Sequence, residues 1–257
     1  MTRIRDLQSS DAIAIGAFHQ TPSQVLAEGM GKAGFDWLCI DIQHGEIEWS
    51  ALLGIVQAMQ LGECDILVRV PWNDPVAIMR ALDCGADGVV VPMVSTPEDA
   101  ARAVAACRYG PRGIRSVGQT RRMFAPVGAY TSTSAEHESL CFVMIETAEG
   151  LDNLAAIAAT PDLDGILIGP GDLALSLGLP ISVPPHDRIA AAVKQTAAEC
   201  RLNKIASATV AGVGGEVSTL VEIGMQMIAV GSEVGLAGIA ARATLNETRA
   251  VVAQANR

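Results

Sequence analysis

Short apolar runs recur along the chain, separated by longer Ala-rich segments whose apolar positions follow a helical period. The runs at 12–18 (AIAIGAF), 37–43 (WLCIDIQ), 65–70 (DILVRV), 88–93 (GVVVPM), 140–146 (LCFVMIE), 165–169 (GILIG), 204–209 (KIASAT) and 227–231 (MIAVG) predict eight strands. Helical segments are predicted near 22–33, 48–61, 74–84, 97–107, 150–159, 187–201, 214–223 and 235–252. Thr96-Pro97-Glu98-Asp99 and Asn73-Asp74-Pro75 each place a capping side chain before a first-turn proline. Gly34, Gly85 and Gly224 follow helices, where glycine accepts a left-handed stop cheaply. Eight alternating strand and helix units in 257 residues predict an α/β fold, a (β/α)8 TIM barrel forming one domain over 1–257. The rival is an open doubly wound sheet. Its dinucleotide fingerprint is missing, because GVGGEV (212–217) has Val217 in place of the third glycine and does not directly follow a strand. The long irregular stretch 109–138 holds four arginines and is read as a lid or a subunit contact.

Composition narrows the class. A formal net charge of −10 argues against nucleic acid and anionic membranes as partners. The six cysteines have no metal-knuckle or C-x-x-C spacing. The polar start MTRIRDLQSS has no apolar signal core, and no run is long enough to span a bilayer. A soluble, cytoplasmic protein is expected.

Active sites of parallel barrels lie at the C-terminal ends of the strands, so the strand tips carry the chemistry. Strand 2 ends with Asp41 and His44, strand 3 with Arg69, strand 5 with Glu146, and strand 6 with Gly169-Pro170-Gly171-Asp172. Asp41 is expected to steady the His44 imidazole as an acid/base dyad. Arg69 would hold either a neighbouring carboxylate or a substrate. Glu146 follows a mostly apolar run, so its carboxylate needs a cation or a proton. Asp172 taken alone is read as a cap of the helix that begins LALSL, and it joins the site only together with the other strand tips. Two carboxylates without histidine or cysteine suit Mg²⁺ or Mn²⁺, with Co²⁺ as a further candidate. The Gly-Pro-Gly turn offers backbone N–H groups to an anion. Together these features describe a pocket for a small 2-oxo carboxylate. None of the three lysines, Lys32, Lys194 and Lys204, falls at a rim position, which excludes Schiff-base chemistry. His19 ends strand 1 and is read as lining the rim or as structural.

The stretches FDWLCIDIQHG, VRVPWNDPVAIMRALDCGADGVVVPMV, RYGPRGIRSVG and VMIETAEGLDNLAAIAATPDLDGILIGPGDLALSLG resemble the HpcH/HpaI family of metal-dependent 2-oxo acid aldolases, in the phosphoenolpyruvate/pyruvate superfamily. The resemblance implies a (β/α)8 barrel and a homo-hexamer, a trimer of dimers that exchange their last helix. It maps the divalent-ion ligands onto Glu146 and Asp172, the acid/base onto His44 with Asp41 as partner, and the substrate-binding arginine onto Arg69. It maps the amides that hold a pyruvate carboxylate onto Gly171 and Asp172, and an aspartate given across a subunit interface onto Asp83. Met144 and Gln43 depart from the family pattern, where glutamine and glutamate are common. The implied reaction is reversible cleavage of a 4-hydroxy-2-oxo acid to pyruvate, or hydroxypyruvate, and an aldehyde. The alternatives are a citryl- or malyl-CoA-type lyase and a non-catalytic 2-oxo acid binding barrel.

Overall fold

The computed structural model describes residues 2–10, 12–118, 139–212 and 214–255. Its eight strands are β1 (Ala14–His19), β2 (Trp37–Asp41), β3 (Asp65–Arg69), β4 (Gly88–Val91), β5 (Leu140–Ile145), β6 (Gly165–Ile168), β7 (Ala206–Val210) and β8 (Met227–Ser232). Each pairs in parallel with the next, and β8 pairs with β1, which closes the barrel in chain order. The helices are α1 (Arg3–Ser9), α2 (Gln24–Lys32), α3 (Trp49–Met59), α4 (Pro75–Asp83), α5 (Pro97–Cys107), α6 (Ala148–Asp152), α7 (Leu154–Ala158), α8 (Pro170–Ser176), α9 (Asp187–Asn203), α10 (Val217–Glu222) and α11 (Glu233–Ala255). The expected (β/α)8 barrel is thus what the chain forms. The helical stretch expected at 150–159 divides into α6 and α7 at Asn153. Lys204 is not part of a strand; it is the left-handed cap of α9.

The period-two alternation of strands sorts the side chains into two layers. One set faces into the barrel, among them Phe18, Trp37, Cys39, Leu67, Val90, Phe142, Met144 and Leu167. The opposite set, including Leu38, Ile40, Ile66, Val68, Val89 and Val143, packs under the helices. Trp37 is fully buried, and a Cβ on Gly16 would lie 2.2 Å from its ring atoms, so only glycine fits there. Helix starts match their sequence signals. Thr96 and Asp99 form a reciprocal capping box on α5, and Asp74 caps α4 ahead of Pro75. Gly34, Gly85 and Gly224 take φ of 94°, 99° and 77°.

A fourfold device ties the strands together at their N-terminal ends. Asp36, Asp87 and Asp164, just before β2, β4 and β6, each accept a backbone N–H from the preceding odd strand (Ile15, Ile66 and Cys141, all at 2.8 Å). Gln226, before β8, does the same for Ser207 at 3.2 Å. These bonds satisfy amides at the barrel's end that the ladder does not reach. The same end is closed by α1. The Asp65 carboxylate accepts the Arg3 and Ile4 amides at 3.1 and 2.6 Å, and Ile4 joins the inner cluster. Among the described residues, no helix is long and apolar enough to cross a membrane.

Candidate active site

At the C-terminal rim, Phe18, Gln20, Arg69, Met144, Glu146, Leu167, Gly169–Asp172, Val210, Gly231 and Ser232 line a cavity of about 270 Å³. Four of the expected residues, Arg69, Glu146, Gly171 and Asp172, therefore share one pocket. The apolar strand runs are its wall, and the polar groups follow where each strand stops.

Asp41 and Arg69 are register partners on β2 and β3. Arg69 donates from Nε to Oδ1 at 2.9 Å and from Nη2 to Oδ2 at 2.6 Å, a fork that matches the carboxylate. Burial alone would raise the Asp41 pKa. The Arg69 bonds, with help from Gln20 and the His44 amide, outweigh it and hold the carboxyl below the usual aspartate range. Burial also opposes the charge on Arg69, yet Asp41 more than compensates and its pKa is raised. The guanidinium lies 5.2 Å from the Phe18 ring centroid, and its Nη1 faces the Met144 sulfur at 4.0 Å.

The expectation that Asp41 steadies the His44 imidazole is corrected by this geometry. Both Asp41 oxygens are taken by Arg69, and Oδ1 also accepts the backbone N–H of Gln43 and of His44. Asp41 shapes the turn that carries His44 and does not bond its ring. His44 is exposed on that turn, outside the cavity lining. Its charge, when protonated, favours the ionised form of Glu146.

Glu146 is 2% exposed. Burial is the main cause of its raised pKa, and the nearby Asp172 pushes in the same direction. One relief comes from the Met93 N–H, which reaches Oε1 at 2.6 Å. Met93 presents that amide from φ 57°, a left-handed conformation uncommon outside glycine. A Cβ on Gly169 would come within 2.9 Å of Oε2, so glycine leaves that oxygen its space. Asp172 is exposed in the first turn of α8, where the Gly171 and Asp172 amides have no intrahelical acceptor. Among the described residues no cluster of three or more His, Cys, Asp or Glu could hold a metal ion. The pair Glu146 and Asp172 offers two hard oxygen donors and leaves remaining positions to water and substrate. That donor set fits Mg²⁺ or Mn²⁺, and the burial and the Asp172 charge that oppose ionisation of Glu146 are what a dication relieves.

Asp83 is not brought to this rim. It ends α4, at the opposite end of the barrel, and its Oδ1 accepts Arg115 Nη2 at 2.8 Å. Of the long stretch 109–138, residues 119–138 lie outside the described residues, and the lid or subunit-contact reading falls there. Its described ends adjoin the C-terminus of α5 and the start of β5, on the face opposite the rim. His19 is fully buried and faces outward; Phe18 before it and Gln20 just after the strand line the cavity. Gln20, Ser232 and Met93 were missed by sequence reasoning. Gln20 and Ser232 follow apolar runs as the charged tips do, but they carry no charge to draw notice.

A family model described as HpcH/HpaI aldolase/citrate lyase matches residues 14–239. The chain is 36% identical over 226 residues to a 5-keto-4-deoxy-D-glucarate aldolase of Klebsiella pneumoniae subsp. pneumoniae, covering 87% of this chain and 88% of that protein. A protein of the same name from Salmonella paratyphi A is 36% identical over 229 residues, with 88% and 89% covered. Among solved structures, an HpcH/HpaI aldolase/citrate lyase family protein from Burkholderia cenocepacia J2315 superposes with a TM-score of 0.86 at 32% identity, covering 96% of this chain and 98% of that one. Macrophomate synthase superposes with a TM-score of 0.85 at 27% identity, covering 98% and 89%.

Proposed function

Because the chain belongs to the HpcH/HpaI aldolase/citrate lyase family, we propose that it is a divalent-metal-dependent aldolase. It reversibly cleaves a 4-hydroxy-2-oxo acid to pyruvate, or hydroxypyruvate, and an aldehyde. The observation that carries this reading is the meeting of Arg69, Glu146, Asp172 and the Gly171 amide around one rim cavity. Glu146 and Asp172 would hold the ion. When bound, it supplies Lewis-acid polarisation of the 2-oxo group.

The remaining work falls to the chain. The first-turn amides of Gly171 and Asp172 receive the substrate carboxylate. Arg69, held rigid by Asp41, directs Nη1 towards the keto oxygen and stabilises the negative charge that develops there as the C3–C4 bond breaks. His44, with a water between, takes the proton from the C4 hydroxyl and is the source of the proton that completes pyruvate. Asp41 acts on it through the backbone of the turn. Asp83 serves the site of a neighbouring subunit. α11 supports a homo-hexamer with exchanged last helices, since Glu233 is the one residue it buries among those described, while Val234, Ile239, Leu245, Val251 and Val252 are exposed.

The name of the curated relatives nominates 5-keto-4-deoxy-D-glucarate as the first substrate to try. Numbered from its keto end it is itself a 4-hydroxy-2-oxo acid. Pyruvate release from it, abolished by exhaustive chelation and restored by Mg²⁺ or Mn²⁺, is the expected result. Release that ignores chelation refutes the metal, and binding of pyruvate without cleavage of any 4-hydroxy-2-oxo acid refutes the enzyme.

A further inference from the structure

Glu233 is a buried carboxylate at the first residue of a helix that otherwise lies on the surface. Its bonds go to another element. Oε1 accepts the backbone N–H groups of Gln20 and Thr21, both at 2.8 Å, on the turn that follows β1. A buried polar group is costly unless it is hydrogen-bonded, so Oε1 and this turn fix each other. The fully buried His19 ring lies beside it, Nδ1 at 3.5 Å from the same oxygen. Burial, the largest influence on His19, holds its pKa down despite Glu233.

The turn held by Glu233 is itself a connector. The Gln20 side-chain Nε2 donates to Asp41 Oδ2 at 3.1 Å, and the Gln20 carbonyl accepts the Glu46 N–H at 2.8 Å. The 20–21 turn and the 41–46 turn are so close that a Cβ on Gly45 would come within 2.3 Å of the Asp41 carbonyl and 2.9 Å of the Gln20 carbonyl. Asp41 in turn fixes Arg69 through two bonds. The chain of contacts runs from α11, through Gln20 and Asp41, to the Nη1 edge of Arg69 at the cavity.

We propose that Glu233 is a positioning residue for Arg69, acting through the Gln20 turn and the Asp41 carboxylate. It touches neither substrate nor ion. Without it the Gln20 amide loses its fixed direction, one support of Asp41 goes, and the guanidinium gains freedom to leave its fork. The inference rests on the reading of Arg69 as the group that meets the substrate, but its first test does not.

That test is the rate at which phenylglyoxal modifies Arg69, followed by peptide mass spectrometry on the full-length, metal-free protein. Arg102, with 65% of its side chain exposed, is the internal reference. Glu233→Ala and Gln20→Leu are each expected to raise Arg69 labelling about fivefold, the scale of one lost hydrogen bond. Glu233→Gln keeps an acceptor oxygen and is expected to rise only about twofold. The double variant Glu233→Ala/Gln20→Leu should label no faster than either single one, because both cut the same path. In turnover of a 4-hydroxy-2-oxo acid the variants should lower kcat more than they raise KM, since Arg69 acts on charge that develops in the transition state, while the affinity for Mn²⁺ alone stays at the wild-type value. A folded Glu233→Ala protein that labels Arg69 at the wild-type rate overturns the proposal. If that variant does not fold, a wild-type rate in Glu233→Gln overturns it. Faster labelling in a protein that cleaves nothing leaves the positioning role standing and removes the proposed reaction.

Discussion

Asp41 and Arg69 face each other across the β2–β3 ladder as register partners, joined by two bonds of 2.9 and 2.6 Å. Neither charge would be tolerable at this depth alone, and the pair leaves one guanidinium edge free for the cavity. Arg69→Lys keeps a positive charge but cannot reproduce the fork. Turnover of a 4-hydroxy-2-oxo acid is expected to fall by about 10²-fold or more, the usual cost of removing one donor from a developing oxyanion. Steady-state kinetics beside a circular dichroism spectrum separates this from unfolding.

The same pair predicts an acid limb in stability. Asp41 is held below its ordinary pKa, because the Arg69 bonds outweigh burial. A group depressed in the folded state stabilises fully above its unfolded value, and loses that contribution as pH falls through the folded value. The urea midpoint of the wild type should therefore exceed that of Asp41→Asn at neutral pH. The gap should close as pH drops below the aspartate range. A gap that stays constant into acid would assign the difference to packing.

Glu146 and Asp172 make the case for the ion. Changing a group behind a metal ligand costs about 10–100-fold in affinity, so removing a ligand itself should cost more than about 100-fold. Glu146→Gln and Asp172→Asn are expected to lose Mn²⁺ binding to that extent by calorimetry. Glu146→Gln also removes an acid whose burial and neighbour both raise its pKa, so it should not destabilise the metal-free fold. Urea unfolding of the chelated protein checks that point.

Much of the rim was legible because charge arrives abruptly after apolar runs. Asp41, Arg69, Glu146 and Asp172 each end a strand or its turn, and barrel geometry gathers strand ends. Pairing was harder to read. Asp41 and His44 are three residues apart in sequence, but the ladder sets Asp41 beside Arg69, and a strand-to-strand neighbour is nearer than the far side of a turn. Alternation explains His19: a strand tip places every second side chain outside the barrel, and the polar neighbour that faces in, Gln20, is uncharged. The seven-residue α1 was invisible because its stability comes from Asp65, more than sixty positions away, and not from its own sequence.

The fourfold bracing at the other end can be tested without any substrate. Asp87 accepts the Ile66 amide at 2.8 Å, and Ile66 is buried. Asp87→Ala strands that amide, which should cost about 1–3 kcal/mol. Asp87→Asn keeps an acceptor oxygen and should recover most of the loss. Urea midpoints at constant slope measure both, and equal losses for Ala and Asn would show that charge, not the accepted bond, is what matters at this position.

Inside the barrel Gly16 packs directly against the Trp37 indole. A methyl group at position 16 would sit 2.2 Å from Cδ2 and Cε2 of an indole that is fully buried. The ring has little room to retreat: its Nε1 donates to the Ala14 carbonyl at 3.2 Å, and Phe18 meets it edge-on with centroids 6.4 Å apart. Gly16→Ala should therefore destabilise by about 1–3 kcal/mol through overpacking. Trp37→Phe alone should also destabilise, by opening a cavity and removing the donor. In the double variant the methyl occupies part of the space the indole vacates, so its loss should be smaller than the sum of the two. Additive losses in urea unfolding would mean that the barrel adjusts around position 16 by moving the strand and not the ring.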